Sequence, residues 1–466
     1  MTTSPQEPPA EHPQETPPDA ARQEPEIAPA EAAPLEESNA PLEPTEAPEP
    51  AEPVAEADAA ANAAPAAVEE NAPAADAFPL VDTAAAEERR RKRLLAALVL
   101  VLLALCGVGG LFVRYLRRPQ PLPELLPVAV EVNYPPHYLF AIYDVDGPLG
   151  VALSPMGGRL YVTEGGGDRL VKIFDTQGSL LGSFAPPRTT AAQRSPVYIA
   201  TDVQGRVFVT DRLQHAIFVY DRDGHYLDTI LSPSLTLSEY IAKHTGSPPA
   251  RGTFAYNIFE EEVYYQDEEG TEQTLPRPDR AAWAPLGVAF DPAGRMIVTD
   301  VARDNHRVLV FPMETIARAD WTDFAPQVFQ FGSFGEADDQ FQFPNKALVD
   351  AQGRFVVSDG NNGRLSVWNA DGQLLSLLGS GGGEGGLNLP RGMAFDDRQR
   401  LHVVDAVGQV VRVYDFAKEQ PAFLYAFGAM GTLEGQFNYP NDIAIDAHGR
   451  LYIADRANNR VQVWSY

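Results

Sequence analysis

The sequence predicts an all-β fold, a six-bladed β-propeller of four-stranded antiparallel blades, preceded by a disordered tail and one transmembrane helix. Three observations predict it. One motif recurs six times between residues 148 and 466; each copy joins a tight turn to a strand that closes on an acid; and the last copy stops one strand short while an unmatched strand precedes the first. The copies open Pro148-Leu-Gly-Val-Ala, Pro196-Val-Tyr-Ile-Ala, Pro285-Leu-Gly-Val-Ala, Pro344-Asn-Lys-Ala-Leu, Pro390-Arg-Gly-Met-Ala and Pro440-Asn-Asp-Ile-Ala. Units of this size cannot bury their apolar faces alone, so they stack on one another.

Within a unit, the first strand runs into a turn such as Asp202-Val-Gln-Gly-Arg206, Asp350-Ala-Gln-Gly-Arg354 or Asp446-Ala-His-Gly-Arg450. The aspartate bonds its own turn and the glycine supplies positive φ, which is hairpin chemistry. Second strands end on Glu164, Asp211, Asp300, Asp359, Asp405 and Asp455. Third strands such as Ile-Phe-Val-Tyr220 and Val-Gln-Val-Trp464 alternate with the period of two of a pleated strand. A second turn of the type Asp221-Arg-Asp-Gly224 leads to a fourth strand. Radial repetition of four antiparallel strands makes a propeller blade. Residues 137–146 supply the strand that the unit ending at Tyr466 lacks, so the two ends close the ring and leave no sheet edge open.

These residues resemble the NHL-repeat family of six-bladed β-propellers over residues 134–466. The resemblance rests on Ile-Ala-Asp-Arg-Ala-Asn-Asn-Arg-Val-Gln-Val-Trp464, on Val-Ser-Asp-Gly-Asn-Asn-Gly-Arg-Leu-Ser-Val-Trp368, and on three Gly-rich linkers that end at Pro344, Pro390 and Pro440. Units one, two and five depart from the consensus loop. Propellers host enzymes and passive binding platforms alike, so the resemblance implies the fold more than the function.

Ahead of the propeller, residues 1–88 rotate Pro, Ala and Glu, with twenty-one acids and one base, Arg22. Such a stretch cannot offset the entropy of ordering, and it reads as a disordered spacer or an acidic interaction tail. Residues 89–118 form a span with basic flanks: Arg89 to Arg93 precede Leu94–Val113, which carry no charge, and Arg114, Arg117 and Arg118 follow. At about 1.5 Å per residue, twenty residues cover about 30 Å, the hydrocarbon core of a bilayer. The heavier basic flank lies before the span, so the tail is expected in the cytoplasm and the propeller outside a cell, one of bacterial type by overall composition. A linker, residues 119–133, joins span to propeller. Cys106, the only cysteine, falls inside the span, which excludes a disulfide and a thiol nucleophile in the propeller. Residues 119–466 hold forty-three acids against twenty-seven lysines and arginines. That sign argues against nucleic acid as a partner.

The loops between blades, and those between second and third strands, share the face around the central channel, the default ligand site of the fold. Residues just after each opening proline ring its mouth: small or apolar ones in the first three units apart from Tyr198, then Asn345, Lys346, Arg391, Asn441 and Asp442. Such a mouth suits an amphipathic or anionic ligand with Lys346 and Arg391 as charge partners; alternatively these residues pair with nearby acids and hold the loops together. The expected partner is a protein, peptide or glycan at the cell surface, and no cofactor is called for. An acid repeated once per blade is structural, accepting from loop amides or from Arg307, Arg364 and Arg460.

The rival reading is a metal-dependent hydrolase or lyase at the channel mouth. Some six-bladed hydrolases hold a central calcium with Glu, Asn and Asp, which by resemblance points to Glu164 with Asn345 or Asn441 and Asp442. Amidating lyases of similar repeat use inward histidines around zinc, for which His215, His306 and His402 are the candidates. No Gly-x-Ser-x-Gly elbow, phosphate loop or His-Glu-x-x-His is present. Between the second and third units the prolines lie eighty-nine residues apart, against forty-six to fifty-nine elsewhere. The surplus, residues 232–284, contains an acidic, aromatic β-hairpin turning near Glu269-Gly270. It reads as a lid or partner-binding arm over the mouth, with a rim addition or a degenerate seventh blade as alternatives.

Overall fold

A computed structural model describes residues 83–117, 134–279, 282–303, 305–312 and 329–466. The expectations for the tail up to residue 82 and for the linker 119–133 lie outside the described residues. Helix α1 runs Thr83–Arg117, so it begins at Thr83 rather than at residue 89, and Glu88 already pairs with Lys92 one turn on, at 2.9 Å. Its stretch Arg90–Gly110 is long and apolar enough to cross a membrane. Leu94, Leu98 and Leu102 on it are exposed.

The described residues from 134 onwards are β apart from short helical pieces. Six antiparallel sheets carry the repeats, each starting at one of the opening prolines. The first sheet comprises Pro148–Leu153, Leu160–Glu164, Val171–Phe174 and Leu180–Phe184. The second repeats the order from Pro196–Thr201 to Tyr226–Ser232, the third from Pro285–Phe290, the fourth from Pro344–Val349 and the fifth from Pro390–Phe395. In the sixth, Pro440–Ile445, Arg450–Asp455 and Arg460–Ser465 are joined by His137–Ile142 from the other end of the propeller. His137 lies opposite Ser465 and Ile142 opposite Val461. The closure expected from the orphan strand is therefore made. First strands of successive sheets touch in order, and the sixth touches the first. The result is a propeller-like ring.

Apolar layers fill the spaces between neighbouring sheets. Ile297, Val308 and Val310 of the third sheet meet Phe355, Val357 and Trp368 of the fourth, while Val411 and Val413 of the fifth meet Ile453 and Trp464 of the sixth. Glycine is obligatory where the linkers cross these layers. At Gly428, φ is +83° and a Cβ would lie 2.2 Å from the Phe437 ring.

The insertion follows the outermost strand of the second sheet. It comprises a short strand Leu235–Thr236, helix α2 (Leu237–Thr245), and a three-stranded sheet of Phe254–Ala255, Glu262–Gln266 and Glu272–Pro276. The hairpin turns over Asp267–Gly270, where expected. The insertion is seated against the first two sheets, and its Ile258 N–H donates to Gln214 Oε1, on the loop after Asp211, at 2.8 Å. Leu237, Ile241, Phe254, Tyr256 and Val263 pack with Tyr161 and Ile173 of the first sheet and Phe218 and Leu231 of the second. Arg188 fastens its edge, pairing with Glu272 at 2.8 Å and covering the Tyr264 ring at 3.7 Å. These contacts tie it to the flank of two sheets, because its apolar side finds burial there. It is no seventh member of the ring, since the first strands of the second and third sheets touch directly.

Candidate functional site

The mouth is built by one device used six times. Proline has no N–H for the ladder, and each first strand breaks register immediately after it: at Pro148/Val151, Pro196/Ile199, Pro285/Val288, Pro344/Lys346, Pro390/Met393 and Pro440/Ile443. The residues in the gap leave the ladder, and their groups become available to the next sheet.

In four sheets a hydroxyl one residue before the strand-end acid serves both sides of that gap. Thr163 Oγ1 accepts the Gly150 N–H at 2.7 Å and donates to the Val197 carbonyl of the next sheet at 2.7 Å. Thr210 accepts from Tyr198 N–H at 3.1 Å and donates to Leu286 at 2.7 Å. Thr299 accepts from Gly287 at 2.7 Å and reaches the Asn345 carbonyl at 3.4 Å. Ser358 accepts from Lys346 at 3.0 Å and donates to Arg391 at 2.7 Å. The fifth and sixth sheets carry Val404 and Ala454 there, which have no hydroxyl. Side chains of the sixth sheet make the link to the first instead: Asp442 Oδ2 accepts the Val151 N–H at 3.1 Å, and Asn441 Nδ2 donates to the Leu149 carbonyl at 2.7 Å.

The other oxygen of Asp442 takes Lys346 Nζ of the fourth sheet at 2.9 Å. Gly392 makes room for the carboxylate, since a Cβ there would lie 1.9 Å from Asp442 Oδ1. Burial pushes the Asp442 carboxyl up from its ordinary range, and the Lys346 charge opposes that rise. Tyr198 donates to Asn345 Oδ1 at 3.4 Å, with Lys346 Nζ 5.9 Å from its ring centre. Burial raises the Tyr198 phenol well above its usual value. Asn345 Nδ2 donates to the carbonyls of Phe343 and Pro390 at 3.1 and 3.2 Å.

Five of the six expected mouth residues, Tyr198, Asn345, Lys346, Asn441 and Asp442, are thus brought together and are at most 7 % exposed. Lys346, expected as a charge partner for a ligand, has Asp442 as its partner. Arg391 differs. It is half-buried, its Nη1 lies 3.4 Å from Asn345 Oδ1, and its buried Nε has no partner. Arg456, on the loop after Asp455, was not singled out in the sequence; it is exposed.

The strand-end acids are buried and have structural partners. Asp300, Asp359, Asp405 and Asp455 pair with Arg307, Arg364, Arg412 and Arg460 at 3.0, 3.0, 3.3 and 2.8 Å. Glu164 pairs with Lys172 at 2.9 Å and accepts the Asp146 N–H at 2.9 Å. Asp211 has Ala216 where an arginine would stand; burial pushes its carboxyl up to about 6, against the N–H bonds it accepts from Gln214, Ser195 and Leu213. The candidate calcium set is not assembled, because Glu164 and Asp442 hold different lysines. The three histidines also lie apart. His306 accepts the Phe343 N–H at 3.1 Å and sits against the Phe334 and Phe343 rings. His402 is fully buried, 2.5 Å from the Tyr466 hydroxyl, and burial lowers it to about 4. His215 lies in a loop at φ 47°. Among the described residues no group of His, Cys, Asp and Glu is placed to hold a metal ion.

Comparison with known proteins adds a repeat family. The NHL repeat profile matches residues 283–311 and 437–464. Over 133 residues, 28 % of this chain, the sequence is 29 % identical to the protein brain tumor of Drosophila melanogaster, and the match spans 11 % of that protein's length. Similar solved structures include a streptogramin B lyase, 10 % identical with a TM-score of 0.43 over 71 % of this chain and 98 % of that one. A virginiamycin B lyase from Staphylococcus aureus is 9 % identical with a TM-score of 0.43, over 71 % of this chain and 99 % of that one. A Bacteroides thetaiotaomicron protein of unknown function is 14 % identical with a TM-score of 0.43, over 71 % and 72 %. Likenesses this distant carry nothing about chemistry.

Proposed function

We propose, for a chain that carries NHL repeats, a six-bladed propeller held to a membrane by α1, outside the cell, with its N-terminal tail in the cytoplasm. The propeller is a non-catalytic recognition module that binds a protein, peptide or glycan at the rim of its mouth. The observation that carries this reading is the state of the inner residues. General acid–base work needs a titratable group within reach of substrate. Asp442 and Lys346 are buried and spent on each other. Immediately before the opening prolines of the fourth and sixth sheets the rim exposes Phe343 at 42 % and Tyr439 at 51 %, and Arg391 follows the opening proline of the fifth. Exposed aromatics and arginine beside a rigid frame suit recognition. The rival, a metal-dependent hydrolase or lyase, would draw on Glu164, Asp442 and histidines that already have other partners.

The test is photo-crosslinking in the native membrane. A photoreactive phenylalanine analogue replaces Tyr439 in one variant and Leu375, exposed on the outermost strand of the fourth sheet, in another. A defined adduct from Tyr439 and none from Leu375 supports a recognition rim. Identical adducts from both, or none from Tyr439, contradict it.

A further inference from the structure

The linkers that lead into the fourth and sixth sheets are built alike. Gly335 and Gly431 both have φ 151°, and their N–H groups donate to the Phe341 and Phe437 carbonyls at 3.0 and 2.9 Å. Asn362 and Asn458, on the loops between second and third strands, donate to the Gly335 and Gly431 carbonyls at 3.0 and 2.9 Å. Arg364 and Arg460 donate to the Gln340 and Gln436 carbonyls at 2.9 and 2.8 Å. Each linker is thus a frame fastened to its own sheet.

The large apolar side chains on these frames stay exposed: Phe334 and Phe343 on the first, and Met430, Leu433 and Tyr439 on the second, with Met430 and Leu433 at 75 % and 69 %. Phe343 and Tyr439 are held at φ 52° and 49°, where bulky residues are rare. Apolar area presented on a fastened backbone loses little entropy when a partner covers it. The fifth sheet lies between these two, and its linker is opposite in kind. Gly381, Gly382 and Gly383 carry no side chain, and a Cβ on any of them would meet nothing within 4 Å. The two apolar frames therefore flank an open, side-chain-free stretch.

Charge decides what fits there. Residues 332–343, 379–389 and 428–439 hold Glu336, Asp338, Asp339, Glu384 and Glu434, and no lysine or arginine. All five acids are exposed; Asp338 reaches Arg364 at 3.8 Å with 81 % of its side chain still open. Arg364, Arg412 and Arg460 are matched by the strand-end aspartates. With Arg391 and Arg456 on the neighbouring loops counted, acids still exceed bases by five to two. A second copy of this rim, an anionic lipid surface or a nucleic acid would each set like charges together.

We propose that this outer rim docks a cationic amphipathic peptide segment of a partner protein. Its apolar side chains rest on Phe334 and Phe343 at one side and on Met430, Leu433 and Tyr439 at the other, while its lysines or arginines face the linker acids. This deepens the recognition reading and rests on it. The probe is a random dodecapeptide phage library, panned against the full chain in phosphatidylcholine nanodiscs after depletion on empty nanodiscs. We expect the enriched peptides to be net positive and to carry aromatic or aliphatic residues, and a synthetic copy of the most enriched one to bind saturably. Met430→Ser with Leu433→Ser, and Asp339→Lys with Glu384→Lys, are each expected to weaken that peptide at least tenfold, while Leu375→Ser, outside the rim, leaves it unchanged. The substituted side chains are exposed, so the variants stay folded, which melting curves check. No enrichment, enrichment of neutral or anionic peptides, or full binding in either double variant would overturn the proposal. So would loss of self-association, or of binding to phosphatidylglycerol vesicles, in the Met430→Ser and Leu433→Ser variant, which would give the rim to a second copy or to a membrane. A Tyr439 adduct obtained alongside any of these would leave the recognition reading intact and remove only this class of partner.

Discussion

Lys346 Nζ and Asp442 Oδ1 meet at 2.9 Å in the buried centre of the ring, joining the fourth sheet to the sixth past the fifth. The pair stands where the hydroxyl relay of Thr163, Thr210, Thr299 and Ser358 runs out. Asp442 then replaces the missing hydroxyl, accepting the Val151 N–H with its second oxygen, and a buried carboxylate in that role requires a cation.

Removing one member leaves the other charge buried. Lys346→Met is expected to destabilise the propeller by about 3–5 kcal/mol, and Lys346→Met with Asp442→Leu to recover most of that loss. Denaturant midpoints of the single and double variants check it. A double variant as weak as the single one goes against the pairing.

Gly392→Ala puts a methyl where Asp442 Oδ1 now sits, at 1.9 Å. The expected cost is about 1–3 kcal/mol from overpacking. It falls below the sum when combined with Lys346→Met, because both changes act on one carboxylate. Strict additivity in unfolding experiments is the contrary result.

Asp211 gives a pH signature. Its folded value is raised to about 6 from 3.8, so the folded state holds this proton more tightly. Its contribution is fully present below the unfolded value and is lost as pH rises through about 6. Two units correspond to up to about 3 kcal/mol. Melting of the wild type relative to Asp211→Asn should therefore worsen between pH 4 and pH 7. A constant difference across that window rules the assignment out.

Closure between His137–Ile142 and Arg460–Ser465 predicts that deleting residues 134–146 abolishes cooperative unfolding. Trp464→Ala, which empties a site shared with Tyr138, Phe427 and Phe437, is expected to cost about 3–5 kcal/mol. Calorimetry reads both, and an unchanged transition in the deletion refutes the closure.

Much of this frame is legible in the chain. The opening prolines mark the first strands, and the turn aspartates mark the hairpins. Arg307, Arg364 and Arg460 sit at the spacing that meets the strand-end acids across one antiparallel pair. What stays hidden is contact between sheets. Thr163, Thr210, Thr299 and Ser358 recur visibly before those acids, yet their bonds to the next sheet exist only once the proline bulge frees a carbonyl there. Lys346 and Asp442 are ninety-six residues apart, and no local period joins them. The insertion shows its hairpin plainly, while its seat on the flank follows from the apolar surface that the first two sheets leave uncovered.

The most direct measurement is metal content of the purified full chain in detergent, paired with thermal melts with and without a chelator. A divalent cation at the mouth would have to take Asp442 from Lys346. The recognition account predicts no stoichiometric metal and superimposable melts. One equivalent of calcium or zinc per chain, whose removal lowers the melting temperature and which Asp442→Asn fails to bind, would contradict it.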